Sequence, residues 1–382
     1  MQTVLTQDQV ELAHAVRRFA KDKLADGALK RAHSREYPFE VAQLLAEMGM
    51  LGITIKKEDG GVGGSLMDAV ITIQELAMVC PKSADVVQAG NFGPIRTFAE
   101  YATPEQKERF LPDLLAGRAV ISLGMSEPDA GSAVTELKTS AREDGDHYII
   151  NGSKVFSTHS PDANLFLIYV RFGPGTGGIG SVLVERGTPG FTIGNRSSFM
   201  SGEEWCPLYF EDCRIPKANV LLGPGGFKKQ ISGFNVERIG NASRALALGR
   251  HAFEVARQHA VDRKQFGKAL CEFQGLQWKF AEMAVKLEAA QMLLYRAASG
   301  ADDTLPSPFD TAIAKLACNQ AGFEVANEAL QVMGGYGYST ESLVEYCVKR
   351  TRGWMIAGGS IEMLKNRIAE HVFERRFDQR AT

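Results

Sequence analysis

The chain has 382 residues, 23% of them charged, and a formal net charge of -2. That length exceeds what one hydrophobic core of ~250–300 residues accommodates, so two or three domains are expected. The near-neutral balance without a long basic run excludes a nucleic-acid surface or an anionic-membrane surface, and no stretch approaches the ~20 apolar residues of a membrane span.

The first 25 residues follow an amphipathic helical period and lack the basic segment and apolar core of a signal peptide, so a cytoplasmic location, or an organelle matrix after trimming, is expected. From Thr6 to about Val120 apolar residues recur at helical spacing: Val10, Leu12, Ala13, Val16 and Phe19, then Val41, Leu44, Leu45 and Met48. Tyr37-Pro38 and the glycine-rich stretch Lys57–Ser65 break the pattern, and Thr103-Pro104-Glu105-Gln106 reads as a capped helix start. Between about Ile121 and Leu222 the pattern changes to short runs rich in Val, Ile, Phe and Tyr, punctuated by turns, which predicts a β-domain, barrel or sandwich. After Gly226 helical patterns return over Val236–His259, Phe273–Ser299, Pro308–Met333 and Met355–Phe377.

The expectation is a multidomain α+β protein, with a helical domain over 1–120, a β-domain over 121–225 and a helical bundle over 226–382. That order excludes a doubly wound α/β fold. Gly175, Gly177 and Gly180 satisfy G-x-G-x-x-G, but a strand-like run follows where a dinucleotide site needs a helix, so the motif reads as a hairpin loop. The six cysteines form no C-x-x-C pair and no set at metal spacing, and read as free, mostly buried thiols.

Two segments carry more than packing demands. Leu123–Ser132, LGMSEPDAGS, interrupts regular structure at Glu127-Pro128 and then exposes backbone donors and small hydroxyls, a surface suited to a flat polar ligand. Gln331–Ala369 contains Gly334, Gly335, Gly337, Gly358 and Gly359, which mark points where the backbone bends or something approaches closely. With Arg263–Gly267, RKQFG, and Glu272–Gln274, EFQ, these segments resemble the acyl-CoA dehydrogenase family of flavoproteins, in order and spacing over essentially the whole chain.

The resemblance implies FAD, and with it the three-part architecture ending in a four-helix bundle. It puts Leu123, Met125 and Ser126 along the flavin ring and Phe156 and Thr158 opposite. Phe156 stands where a tryptophan is usual, keeping the flat wall without the indole donor. Arg263, Phe266, Gln274, Gln331 and Gly335 match positions at the pyrophosphate and adenine end, reached across a subunit boundary, which implies at least a dimer and usually a homotetramer. Ser360 and Glu362 match flavin-facing positions beside the tail turn. For the CoA thioester the resemblance implies Ser132, Arg238 and Gly358. An arginine fork suits phosphate, and an ion pair to a neighbouring helical turn accounts for Arg238 equally well.

One departure bears on the chemistry. Where most members have a catalytic glutamate the chain reads Ile356-Ala357-Gly358-Gly359-Ser360, and glycine takes no proton. Oxidation of an acyl-CoA needs a carboxylate in a dry pocket to remove the proton beside the thioester carbonyl. The replacement that the resemblance offers is Glu237, at the helix position that carries the base in isovaleryl-type and long-chain members; Glu362 and Glu341 are further carboxylates. The small Ala357-Gly358 pair favours a branched, cyclic or polar acyl group. The expected acceptor is an electron-transfer flavoprotein. The tail also resembles family branches that reduce crotonobetainyl-CoA or desulfinate sulfinopropionyl-CoA, and a non-catalytic flavoprotein subunit is the remaining alternative.

Overall fold

The computed structural model describes residues 5–300 and 305–377; the ends of the expected first and last domains, 1–4 and 378–382, and residues 301–304 lie outside this range. Seven helices come first: α1 (Gln7–Leu24), α2 (Ala28–His33), α3 (Phe39–Glu47), α4 (Leu66–Ala77), α5 (Pro81–Asn91), α6 (Pro94–Tyr101) and α7 (Pro104–Leu115). Helix α7 begins at the expected capping box, in which the Thr103 hydroxyl accepts from Gln106 N and the Gln106 side chain accepts from Thr103 N.

Nine strands follow: β1 (Ile121–Gly124), β2 (Ser140–Asp144), β3 (His147–Thr158), β4 (Leu165–Arg171), β5 (Ile179–Glu185), β6 (Phe191–Ile193), β7 (Ser197–Ser198), β8 (Glu204–Pro216) and β9 (Val220–Leu222). They make one sheet in the order β6-β8-β3-β2-β4-β5-β9, with β1 parallel to β4 and β7 paired with β8. Gly175 and Gly177 lie in the connection between the antiparallel strands β4 and β5, the hairpin loop expected of that glycine run.

The last part holds α8 (Phe227–Asp262), a two-strand hairpin of β10 (Lys264–Gln265) and β11 (Lys268–Ala269), α9 (Gln274–Ser299), α10 (Pro308–Met333), α11 (Gly335–Tyr338), α12 (Leu343–Trp354) and α13 (Ile361–Val372). The expected helical stretch Met355–Phe377 needs correction: residues 355–360 are a turn, and helix resumes only at Ile361. Gly358 and Gly359 both take positive φ, 69° and 92°, and the Ser360 side chain caps α13 by accepting from Met363 N.

The described residues form two compact units. One comprises residues 33–65 and 85–234. Its core sets Ile95 and Phe98 of α6 and Leu111 and Leu114 of α7 against Ile121, Leu165, Leu167 and Leu183 of the sheet, all almost without exposure. The other comprises residues 5–32, 66–84, 235–300 and 305–377. In it α1 packs on α4, and α10 packs on α9, α12 and α13. Helices α8 and α10 cross at two glycines: a Cβ on Gly249 would come within 2.7 Å of Gly322 Cα.

Candidate active site

In the first unit the segment after β1 is built by a buried ion pair. Glu127 Oε1 accepts from Lys154 Nζ at 2.7 Å and from Thr139 N at 2.9 Å, while Oε2 accepts from Lys138 N at 2.6 Å. Burial works to push the Glu127 carboxyl up, but Lys154, Thr139 and Lys138 outweigh it and the net direction is down. Burial brings Lys154 down to about 8 against the pull of Glu127. Sequence reading named Glu127 only as the residue before Pro128 and did not name Lys154.

The pair fastens Leu123–Ser126 to the end of β3. Val155 N donates to Ser126 O at 2.9 Å, and the Ser122 hydroxyl donates to Thr158 O at 2.7 Å. Leu123, Met125 and Ser126 are half-buried; Thr158 is exposed. Between the pairs Lys154↔Leu208 and Ser157↔Cys206 strand β3 sets two residues, Val155 and Phe156, against Pro207 alone of β8, a bulge that turns Phe156 outward. Phe156 sits at φ 58°, a strained conformation for a bulky residue, and its ring is 58% exposed beside Trp205 at 4.7 Å. An exposed aromatic wall, two hydroxyls and half-buried Leu123 and Met125 suit a planar group with a polar edge, so the residues present fit a flavin ring. Ser132 is exposed, in the same loop.

In the second unit the site residues form two groups. The first gathers at the ends of α8 and α10. Arg263 closes α8, its N donating to His259 O at 2.8 Å, and Phe266 stands at the hairpin tip with φ 51° and 96% exposure. Gln274 opens α9, Gln331 is in the last turn of α10 and Gly335 opens α11. The His259 ring stacks on Tyr336 at 6.0 Å, which brings the end of α8 to α11.

The second group surrounds the turn at 355–360. Arg238 on α8 donates from Nε to Gly358 O at 3.3 Å and from Nη1 to Asn235 Oδ1 at 3.1 Å. Among the described residues no carboxylate lies within ion-pair distance of Arg238, so the helical ion pair entertained for it is not formed. Burial, then Arg367, lowers its pKa. Lys315 on α10, without solvent exposure, donates to Gly359 O at 2.8 Å and Trp354 O at 3.2 Å. Asn319, one turn on, donates to Trp354 O at 2.6 Å and Asn241 Oδ1 at 3.2 Å. A Cβ on Gly358 would meet only Asn241 Nδ2 and Lys315 Cε, each at 3.7 Å. Burial above all, then Arg238, brings Lys315 down to about 7; Glu237 pulls the other way and Arg244 adds to the lowering. Glu237 is half-buried on α8, Glu362 and Glu341 are exposed, and Ser360 caps α13. The Ser360 hydroxyl and the first amides of α13 hold Glu362 below the usual carboxylate range, its own backbone N–H foremost. Lys315, Asn319 and Asn241 were not read as site residues from sequence. Three polar residues at i, i+4 and i+8 on α10, Thr311, Lys315 and Asn319, are the signal that could have found two of them.

Comparisons with known proteins agree with this layout. Family models match the acyl-CoA dehydrogenase N-terminal domain over residues 6–118, its middle domain over 122–213 and its C-terminal domain over 224–373. The chain is 34% identical to a 3-sulfinopropanoyl-CoA desulfinase of Variovorax paradoxus, covering 96% of this chain and 94% of that one. It is 35% identical to an acryloyl-CoA reductase (NADH) of Anaerotignum propionicum, covering 97% and 96%. A glutaryl-CoA dehydrogenase of Mycobacterium smegmatis, solved in complex with FADH2, superposes with a TM-score of 0.92 at 25% identity, covering 99% and 98%. No helix among the described residues is long and apolar enough to cross a membrane. With all three domains matched in order and relatives above 30% identity along nearly the whole length, the chain belongs to the acyl-CoA dehydrogenase family of enzymes.

Proposed function

We propose that this chain is an FAD enzyme that oxidises the α,β-bond of an acyl-CoA thioester, with Glu237 as the base. The observation that carries this reading is the geometry around the glycine turn. Arg238, the residue after Glu237, is bonded to Gly358 O, and Lys315, which feels the Glu237 charge, lies against the space a side chain at 358 would take. That Glu237 directly precedes the arginine bonded to this turn supports α8 as the source of the base. FAD, when bound, supplies the acceptor for the hydride that leaves the β-carbon. Glu237 takes the proton from the α-carbon, so the thioester loses one proton and one hydride and gains a double bond.

Leu123, Met125, Ser126, Phe156 and Thr158 would hold the ring, and Arg263, Phe266, Gln274, Gln331 and Gly335, with Ser360 and Glu362, the rest of the cofactor. Ser132, Arg238 and Gly358 would meet the thioester. The small Ala357-Gly358 pair leaves room for a branched, cyclic or polar acyl group. Electron-transfer flavoprotein as acceptor and a homotetrameric assembly belong to the same proposal, as does the division at 1–120, 121–225 and 226–382.

Anaerobic mixing of the yellow protein with straight, branched and cyclic saturated acyl-CoAs tests the reading. Loss of oxidised-flavin absorbance with one of them is expected; no loss with any overturns it. The similarity to a reductase and a desulfinase supports a second reading, in which a CoA thioester is reduced or loses sulfite from a sulfinate without net oxidation. Reoxidation of the chemically reduced flavin by an enoyl-CoA, or sulfite release, would select it.

A further inference from the structure

The two cations at the glycine turn are held by neutral groups. Lys315, without solvent exposure, gives two N–H bonds to the carbonyls of Trp354 and Gly359. Arg238 gives Nε to Gly358 O and Nη1 to Asn235 Oδ1. Among the described residues no carboxylate lies within ion-pair distance of either cation. A buried ammonium is costly unless its charge meets a complementary one, and carbonyl oxygens do not carry one. Of the charged groups acting on Lys315, Glu237 is a carboxylate and Arg238 and Arg244 are arginines, so its surroundings remain positive.

Both cations border open space. A Cβ built on Gly358 would have only Asn241 Nδ2 and Lys315 Cε within 4 Å, each at 3.7 Å. One built on Gly359 would have only Arg238 Nη2 and Nε, at 3.4 and 3.8 Å. Ile356 and Ala357 are exposed and the two glycines partly so, which leaves a way in for a ligand. The Asn241 amide has its orientation set by its neighbours. Trp354 O can only accept, so the Asn319 atom 2.6 Å from it is the nitrogen; the same nitrogen reaches Asn241 at 3.2 Å, and Asn241 must present its oxygen there. That directs Asn241 Nδ2 to the hollow at Gly358, where no acceptor among the described residues takes its protons. The polar groups bordering the hollow are therefore donors: Asn241 Nδ2, Arg238 Nη2 and the third N–H of Lys315.

We propose that the hollow at Gly358–Gly359 is a subsite for an anionic group on the acyl portion of the substrate, a carboxylate or a sulfinate, held by Asn241 Nδ2 and the remaining Lys315 N–H with Arg238 beside them. This rests on the reading of the chain as an enzyme of CoA thioesters. It narrows the acyl group from branched, cyclic or polar to one bearing a negative charge within a few bonds of the thioester carbonyl. An anion there makes charge-assisted hydrogen bonds, whereas a methyl group leaves the donors and the charge unmatched.

The test is anaerobic titration calorimetry of the FAD-loaded protein with its flavin chemically reduced, so that no saturated thioester can be oxidised. Succinyl-CoA is butyryl-CoA with the terminal methyl replaced by carboxylate, methylmalonyl-CoA stands in the same relation to isobutyryl-CoA, and 3-sulfinopropanoyl-CoA sets a sulfinate against butyryl-CoA. All carry the same CoA arm, so contacts to its phosphates cancel in each comparison. At least one acid is expected to bind about tenfold or more tighter than its methyl partner. Lys315→Met and Asn241→Leu are each expected to cut that ratio severalfold, and Asn241→Leu, close in volume, keeps the test decisive if the Met variant does not fold. Damage to the fold weakens both members of a pair alike and leaves the ratio in place. Equal or weaker binding of all three acids, or a preference that the folded variants leave intact, overturns the subsite alone. If none of the thioesters binds, the CoA-thioester reading fails and the subsite with it.

Discussion

Lys154 and Glu127 meet at 2.7 Å with neither side chain more than 7% exposed, and they join the strand that carries Phe156 to the loop that carries Ser126. Removing one partner strands the other charge away from water. Lys154→Met is therefore expected to destabilise the protein by roughly 3–5 kcal/mol, and the double variant Lys154→Met/Glu127→Gln by less than the sum of the single changes. Denaturant unfolding measures both; a single-variant cost below about 1 kcal/mol would contradict this account of the loop. The pH signs differ for the two partners. Glu127 is lowered, so its contribution is lost as pH falls through its folded value. Lys154 is lowered to about 8, so its contribution grows as pH rises from there towards 10.5.

The crossing of α8 and α10 depends on the absence of side chains. A Cβ on Gly322 would run into the Ala245 carbonyl oxygen, and helical backbone cannot give way as a flexible side chain does. Gly322→Ala is expected to cost about 1–3 kcal/mol or more, despite the better helix propensity of alanine. Gly275, near the start of α9, has nothing within 4 Å of an added Cβ, so Gly275→Ala should be neutral or stabilising by up to ~1 kcal/mol. Thermal unfolding of the two variants side by side checks the contrast.

Phe156 sets backbone strain against aromatic contact. Its φ of 58° costs about 1–2 kcal/mol in a residue with a side chain. Its contacts with Trp205 at 4.7 Å and Phe199 at 6.2 Å return about 0.5–1.5 kcal/mol. The two nearly cancel, so Phe156→Gly is expected to leave stability within about 1 kcal/mol of wild type while weakening FAD retention. Equilibrium dialysis together with Tm of the FAD-free protein separates these effects. Unchanged retention would remove Phe156 from the flavin wall.

Glu237→Gln preserves shape and removes the proton acceptor. Flavin reduction by the best acyl-CoA is expected to slow by about 10²–10⁴-fold, with binding of an unreactive thioether analogue nearly unchanged. A loss of binding equal to the loss of rate would make Glu237 a substrate contact and return the search for a base to other carboxylates.

The order of helical, β and helical parts was legible because hydrophobic period is a local property. A change from the 3.6-residue to the 2-residue repeat near Ile121 and back after Gly226 needs no knowledge of what packs on what. The Thr103–Gln106 capping box was legible for the same reason, its partners being three residues apart. The continuous helix expected from Met355 failed because two adjacent glycines at positive φ, followed by a capping serine, outweigh the periodicity around them.

The sequence by itself determined the element types, the missing carboxylate at Gly358 and, through the resemblance, the residues to inspect. Only the tertiary structure decided that Arg238 bonds the glycine turn and has no carboxylate in ion-pair reach among the described residues, and that Lys315 is enclosed instead of solvated. A lysine in a helical pattern reads as a surface charge. Its burial depends on α8 and on the turn after α12, whose residues lie tens of positions away in the chain, and its interaction with Glu237 arises only when those helices converge. Long-range desolvation and Coulomb effects leave no period in a sequence, which is why the electrostatics of this site had to be read from the fold.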